Sequence, residues 1–233
     1  MTVNDVALEA VFLVTPWLSS TRKLKDQPDF LFITRQGMVK RTAAADYDVR
    51  SRKYPALNLK KGDSLMGILP AATDHDILLL TRSGMSIRFP LADVPVQGRV
   101  AAGVKGMSVD SGDEVFWYSQ LGEKEEVVLF SERGWAKRVL QLDFEPQNRG
   151  GKGVHCFYFN KNGSNGRMVA GALCLPQDQP CTLLVSQARS PLTKLARDEI
   201  LIQNRTGKGM PYVMAILDDV VTGLLAADPA PEA

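Results

Sequence analysis

Cysteine and histidine are scarce in this chain of 233 residues. Its three cysteines, Cys156, Cys174 and Cys181, form no Cys-x-x-Cys pair. An odd, scattered set argues against a disulfide framework and leaves the ordinary role of small buried hydrophobes. The two histidines, His75 and His155, lie far apart, with no carboxylate or thiol at ligand spacing, so neither a metal site nor a cofactor is expected. No nucleophile stands beside a base. Tyr47, Tyr54, Tyr118, Tyr158 and Tyr212 sit in strands or turns without a surrounding constellation. No apolar run approaches the ~20 residues of a membrane span. The opening "MTVNDVALEAVFLV" places acids before its apolar part and carries no basic leader, so a signal peptide is not expected and the cytoplasm is the expected compartment. Helical periodicity is missing too. "TKLARDEILI" (193–202) comes nearest to it, and its place in the repeat described next reads as turn and strand.

What the chain has is repetition. "FLFITRQGMVKRTAAADY" (30–47), "ILLLTRSGMSIRFPLADV" (77–94) and "VVLFSERGWAKRVLQLDF" (127–144) align without gaps. Each is an apolar strand, a turn centred on Gly37, Gly84 or Gly134, and a second strand. A tight hairpin turn needs one residue at positive φ, which glycine adopts without penalty. Arg41, Arg88 and Arg138 follow the glycine by four residues, and Asp46, Asp93 and Asp143 come five later. "LLVSQARSPLTKLARDEI" (183–200) reads as a decayed fourth copy, with Arg189 for the glycine, Thr193 for the arginine and Asp198 keeping the aspartate. Each hairpin is followed by an arginine-bearing loop and then strand, turn and strand, as in "ALNLKKGDSLMGIL" and "GMSVDSGDEVFWYS". A unit of four strands recurring every 47–55 residues predicts an all-β, propeller-like architecture, in which no unit buries both faces alone. "DVALEAVFLVTPWLSS" resembles the tail of a unit, so the chain is expected to start inside a blade or to lend those strands to close one. Residues 1–225 are expected to form one domain and the Pro/Ala tail 226–233 to be disordered.

The net charge is only +2, but residues 30–210 hold 25 Lys+Arg against 18 Asp+Glu, while the flanks hold 3 against 8. A basic body points to a polyanionic partner. Four loops at one position in the repeat concentrate the charge: "VRSRKYPA" (49–56), "VQGRVAAGVKG" (96–106), "QNRGGKG" (147–153) and "IQNRTGKG" (202–209). Equivalent loops share a rim in a propeller, which would merge them into one basic arc. Glycines let backbone N–H groups approach an anion, and Arg or Lys supply charge. Few amides are placed to read bases, so the phosphate backbone is the expected target. A nucleotide-binding P-loop is not expected, because Gly153 rather than Ser or Thr follows Lys152 and a strand rather than a helix follows the loop.

With "TRQGMVKR", "LNLKKGD", "ILLLTRSGMSIRF", "GRVAAGVKG" and "SGDEV", the chain closely resembles the C-terminal domain of bacterial type IIA topoisomerase A subunits over about residues 5–225. "QNRGGKG" is similar to the gyrase A box: Gln147, Arg149, Gly150, Gly151, Lys152 and Gly153 match it, and Asn148 stands where the family usually has a basic residue. The resemblance implies a β-pinwheel of about four to five four-stranded blades with strand exchange, whose basic perimeter binds and bends double-stranded DNA. It implies as partners the ATPase B subunit of a topoisomerase and the catalytic part of the A subunit. Neither lies in this sequence, so the chain alone is not expected to be an enzyme. The box sits in the third visible repeat rather than the first blade, and about four repeats are visible where gyrase domains commonly have six. The choice between gyrase and topoisomerase IV therefore stays open, with a lean to the latter. The expected DNA contacts are Arg149 and Lys152 first, then Arg52, Arg99, Lys105, Arg205 and Lys208. Arg41, Arg88 and Arg138 are contacts or, alternatively, structural partners of the aspartate five residues on. A propeller scaffold for protein–protein interaction is the alternative function.

Overall fold

The computed structural model describes residues 28–49, 54–72 and 74–227. The expected N-terminal closing strands and Arg52 lie outside these residues. The first repeat supplies β1 (Phe30–Thr34), β2 (Met38–Thr42) and β3 (Leu65–Pro70). The second supplies β4 (Asp76–Thr81), β5 (Met85–Pro90), the two-residue β6 (Val104–Lys105) and β7 (Val115–Leu121). The third supplies β8 (Glu125–Ser131), β9 (Trp135–Leu140), β10 (Val154–His155) and β11 (Val169–Pro176). The fourth supplies β12 (Thr182–Gln187), β13 (Thr193–Ala196), β14 (Met210–Pro211) and β15 (Val221–Ala227).

All sheets are antiparallel, and their strand orders are β3-β1-β2-β6, β10-β5-β4-β7, β11-β8-β9-β14 and β13-β12-β15. The short strands leave their own repeat: β6, β10 and β14 each complete the preceding blade. This is the β-pinwheel with exchanged strands. Three sheets have four strands and the last has three. The hairpins behave as read, with Gly37, Gly84 and Gly134 at φ +77°, +82° and +76°.

Alternation along the first strand of each blade builds the core. Leu31 and Ile33 pack against Ile77 and Leu79 of the second blade. Leu78 and Leu80 on the opposite face meet Val127 and Leu129 of the third, and Val128 and Phe130 meet Leu183 and Val185 of the fourth. A separate cluster on the far side of the first blade joins Phe30, Phe32, Ala44 and Tyr47, with Ala56 and Leu57 against it. No cluster joins the fourth blade to the first among the described residues.

Three details differ from the sequence reading. "ALNL", "GMSV", "CFYF" and "YVMA" form no strands, because the exchange pairing is confined to the two residues that precede the last three of them, Val104–Lys105, Val154–His155 and Met210–Pro211. In the fourth repeat Lys194, not Thr193, holds the arginine position: Lys194 faces Leu184 as Arg41 faces Leu31 and Arg138 faces Val128. That register puts Ser190, not Arg189, at the glycine position, in a turn held by Asp219, which accepts the amides of Arg189 and Ser190. Finally, β15 runs to Ala227, taking in the first two residues, 226 and 227, of the expected tail.

Candidate nucleic-acid interface

Each basic loop begins beside the blade it will complete. The backbone N–H of Gln97, Gln147 and Gln203 donates to the carbonyl of Arg41, Arg88 and Arg138 at 2.8, 2.7 and 2.9 Å. The loop then turns and comes back as β6, β10 or β14. In "QNRGGKG" the turn falls at Arg149-Gly150, with Gly150 at φ +86° and Gly153 at φ +76°. A Cβ on Gly153 would lie 2.2 Å from the Ser86 carbonyl oxygen, so this glycine is required by the closeness of the preceding strand as well as by its φ.

Adjacent loops are fastened to one another along the rim. Arg149 donates from Nε to the Asp93 carbonyl at 2.8 Å and from Nη1 to the Lys105 carbonyl at 3.1 Å. Arg205 repeats the second contact one step on, donating to the carbonyl of His155 in β10. Main-chain bonds run in parallel, since the N–H groups of Asn58, Ser108 and Tyr158 reach the carbonyls of Ala101, Gly151 and Gly207. The Ser108 hydroxyl adds a bond to the Gly150 carbonyl at 2.8 Å. Arg99 differs. Its guanidinium lies over the Tyr54 ring at 5.0 Å, and its Nη1 is buried without a partner.

The exposed charges sit on this framework. Lys105 and Lys208 are exposed and make no ion pair among the described residues. Lys152 is exposed and paired with Asp110 at 2.7 Å. A surface pair of this kind contributes about 0–1 kcal/mol, so a phosphate can take the ammonium over at little cost. Arg149 and Arg205 are half-buried, each with part of the guanidinium committed to the neighbouring loop.

Arg41, Arg88 and Arg138 are placed differently. They pair with the acid at the start of their own hairpin: Arg41 with Asp29 at 2.6 Å, Arg88 with Asp76 at 2.7 Å and Arg138 with Glu126 at 3.2 Å. The partner is not the aspartate five residues on, because Asp46, Asp93 and Asp143 lie in the 3-10 turn that follows the hairpin. Arg88 also donates to the carbonyls of Gln141 and Phe144, and Arg138 to that of Ile200, holding the next blade's turn. Only 12% of the Arg88 and Arg138 side chains is exposed.

Two residues that the sequence reading passed over organise the loops from below. Lys137 is fully buried, and its ammonium donates to the carbonyls of Asn204, Arg205 and Gly207 at 3.1, 2.7 and 2.8 Å. Lys40 does the same one blade-pair earlier, donating to the carbonyls of Ala56, at 2.8 Å, and Arg99. Burial pushes each down to about 8, and each lies near an aromatic face, Phe32 or Phe157. The equivalent position in the second blade is Ile87, over which the glycines of "QNRGGKG" close: a Cβ on Gly151 would lie 3.9 Å from its Cδ1. So two loops are pinned by a lysine and the third by the absence of side chains. The sequence signal was a lysine at an inward-facing position of an alternating strand, in "MVKR" and "WAKR". Asn165, also fully buried, adds a bond to the Lys208 carbonyl at 3.0 Å.

The family described as DNA gyrase C-terminal domain, beta-propeller, matches residues 28–72, 75–117 and 125–165. The DNA gyrase A protein of Lawsonia intracellularis is 35% identical over 221 residues, which cover 93% of this chain and 26% of that protein. The DNA gyrase A protein of Kosmotoga olearia is 30% identical over 226 residues, 95% of this chain and 27% of that protein. The chain thus spans about a quarter of the length of these curated relatives. Among solved structures, the C-terminal domain of DNA topoisomerase IV superposes with a TM-score of 0.80 at 25% identity, over 89% of this chain and 64% of that one. The DNA gyrase A C-terminal domain superposes with a TM-score of 0.72 at 20% identity, a likeness of fold, over 88% and 67%.

Proposed function

This chain belongs to the DNA gyrase C-terminal domain family, and we propose that it binds double-stranded DNA along its rim of basic loops and bends it. The observation that carries the reading is the regular fastening of loop to loop, which lines up Lys105, Lys152 and Lys208 on one framework. Lysines and half-buried arginines on main-chain loops suit phosphates rather than base edges. With roughly 6–10 phosphates neutralised, affinity falls about 10³- to 10⁵-fold between 50 and 200 mM salt. Bending 20–30 bp by 40–90° costs on the order of 1–6 kcal/mol, which that many contacts can offset.

Gln147, Gly150, Gly151 and Gly153 shape the central loop, Arg149 and Lys152 give it charge, and Arg99, Lys105, Arg205 and Lys208 extend the arc; Arg52, outside the described residues, stays a contact expected from the sequence. Arg41, Arg88 and Arg138 support the arc from within the blades and meet DNA, if at all, through their exposed fraction. The chain itself performs no bond chemistry in this reading. It guides DNA for a type IIA topoisomerase and works with the catalytic part of the A subunit and the ATPase B subunit, in the bacterial cytoplasm. No helix among the described residues is long and apolar enough to cross a membrane.

The test is a linking-number assay. Relaxed circles are ligated with the protein bound, and wild type is compared with Arg149→Ala/Lys152→Ala. A shift that the double variant abolishes supports bending through this loop and a gyrase-like role. Salt-sensitive binding without a shift supports a steering surface of the topoisomerase IV kind. Binding that ignores salt overturns the reading in favour of a protein-binding scaffold.

A further inference from the structure

The loop-to-loop pattern stops at both ends of the described chain, and the two ends are complementary. Three exchange strands complete the blades before them, but Tyr54–Pro55, the equivalent segment of the first repeat, pairs with no strand among the described residues. The equivalence follows from spacing: Pro55, Lys105 and Pro211 each lie eight residues before Asp63, Asp113 and Asp219. Asp63, Asp113 and Asp219 each cap a hairpin turn, accepting the N–H of Gln36, Ser83 and Arg189. Proline at this position is no obstacle, because Pro211 of β14 sits opposite Trp135 in just this pairing. At the other end, β13 is the edge of a sheet that has received no fourth strand from the described residues. Its approach segment includes Leu192, 49% exposed, at the place where Val39, Ser86 and Ala136 meet an exchange strand.

The faces match as the edges do. Leu184, opposite Leu225 on the outward face of the fourth blade, stands where Leu31, Leu78 and Val128 are fully buried against a following blade. Leu225 is 65% exposed. Met214 follows Asn58, Ser108 and Tyr158 in the series whose N–H groups reach the next loop, and it is 79% exposed. On the first blade, Phe30 and Phe32 form the backward-facing half of the same interface, covered by Tyr47, Ala56 and Leu57 of their own repeat.

We infer that this chain associates head to tail with a second copy, whose Tyr54–Pro55 adds an exchange strand to the β13 edge and whose first blade covers Leu184 and Leu225. The partner is a copy of this chain because the chain itself carries the matching donor segment, unpaired among the described residues, and the matching face, which its own repeat alone covers. Strand addition supplies main-chain hydrogen bonds and the paired faces supply apolar area. The contact is heterologous, so it propagates beyond a dimer unless the rotation closes a ring. The inference does not depend on DNA binding.

The experiment uses the full chain without DNA. Sedimentation equilibrium over a hundredfold concentration range should show average mass rising past that of one chain. Leu225→Lys, an exposed position that leaves the fold intact by circular dichroism, should weaken association at least tenfold. Tyr54→Cys and Leu192→Cys chains, oxidised as a mixture, should give a mixed disulfide that neither gives alone. Three results overturn the inference: a single-chain mass at every concentration, as when residues 1–27 cover the edge; an intrachain cross-link in the Tyr54→Cys/Leu192→Cys double variant, which would mean that the chain closes on itself; or cross-links only between like variants, which would mean a two-fold dimer.

Discussion

Lys137→Ile tests the claim that the rim loops are set from beneath. Isoleucine is the natural choice, because Ile87 holds the same position in the second blade. There, however, Gly150 and Gly151 let the loop close down, whereas the loop over Lys137 has Thr206 in place of the first of them. The substitution removes three hydrogen bonds from a charged donor, about 1.5 kcal/mol each at the low end. It also relieves the burial of the ammonium, about 3 kcal/mol for a group pushed from 10.5 to about 8. The carbonyls of Asn204, Arg205 and Gly207 then lose their donor, and water recovers only part of the loss. The expected net destabilisation is about 2–4 kcal/mol at pH 7 by urea unfolding, or roughly 5–15 °C in Tm. Amide exchange across residues 203–209 should speed up more than exchange in β12.

The same variant has a pH signature. The folded-state value lies below the unfolded one, so between about 8 and 10.5 the unfolded chain binds more protons at this site. The lysine's burial cost is therefore fully present below pH 8 and is relieved as pH rises through that window. The stability difference between wild type and Lys137→Ile should widen from pH 7 to pH 10. A variant within about 1 kcal/mol of wild type at pH 7, or a difference that shrinks with rising pH, would refute the reasoning.

Other outcomes follow from the same geometry. Lys152→Gln, Lys105→Gln and Lys208→Gln should each lower the slope of log affinity against log salt by about 1 for a duplex of any sequence, with unchanged melting. Arg149→Lys keeps the charge but cannot hold both Asp93 and Lys105 carbonyls in one planar fork; its DNA bending, read by the linking-number shift, should fall nearly as far as that of Arg149→Gln, although its salt slope is retained. Gly153→Ala should cost more than about 2 kcal/mol in urea unfolding from its φ and its contact with Ser86, whereas Gly98→Ala, with open space around its Cβ position, should be neutral or slightly stabilising. Arg88→Met should lower the melting temperature and leave the salt slope within error, because its guanidinium is used inside the blades.

Much of the fold was legible because the chain states it three times. Gly37, Gly84 and Gly134 mark hairpins, and apolar runs mark the strands, of which β1, β4 and β8 are buried on both faces. The fourth copy was legible in outline but misaligned by one position, because neither its turn glycine nor its arginine survives. Only the strand register shows that Lys194 faces Leu184. The basic loops were found by their shared phase, yet the division of labour inside them was not. Arg149 and Lys152 read as equivalent cations; one is fastened to the neighbouring loop and the other is free at the surface but for one exposed aspartate. Arg41, Arg88 and Arg138 were expected to find an acid, and they do, though across the hairpin rather than along the chain.

The sequence by itself determined the repeat, the turns, the apolar runs that form the first strand of each blade, and the clustering of positive charge at one phase. These follow from local conformational preference and from the partition of apolar side chains out of water, both of which act residue by residue. Only the tertiary structure decided which blade each short strand completes, which carbonyls Lys40 and Lys137 hold, and which cations remain for a phosphate. Those outcomes depend on hydrogen bonds between residues more than forty positions apart, such as Arg149 and Lys105 or Lys137 and Arg205. Such pairs meet because packing one blade against the next brings their loops to the same rim.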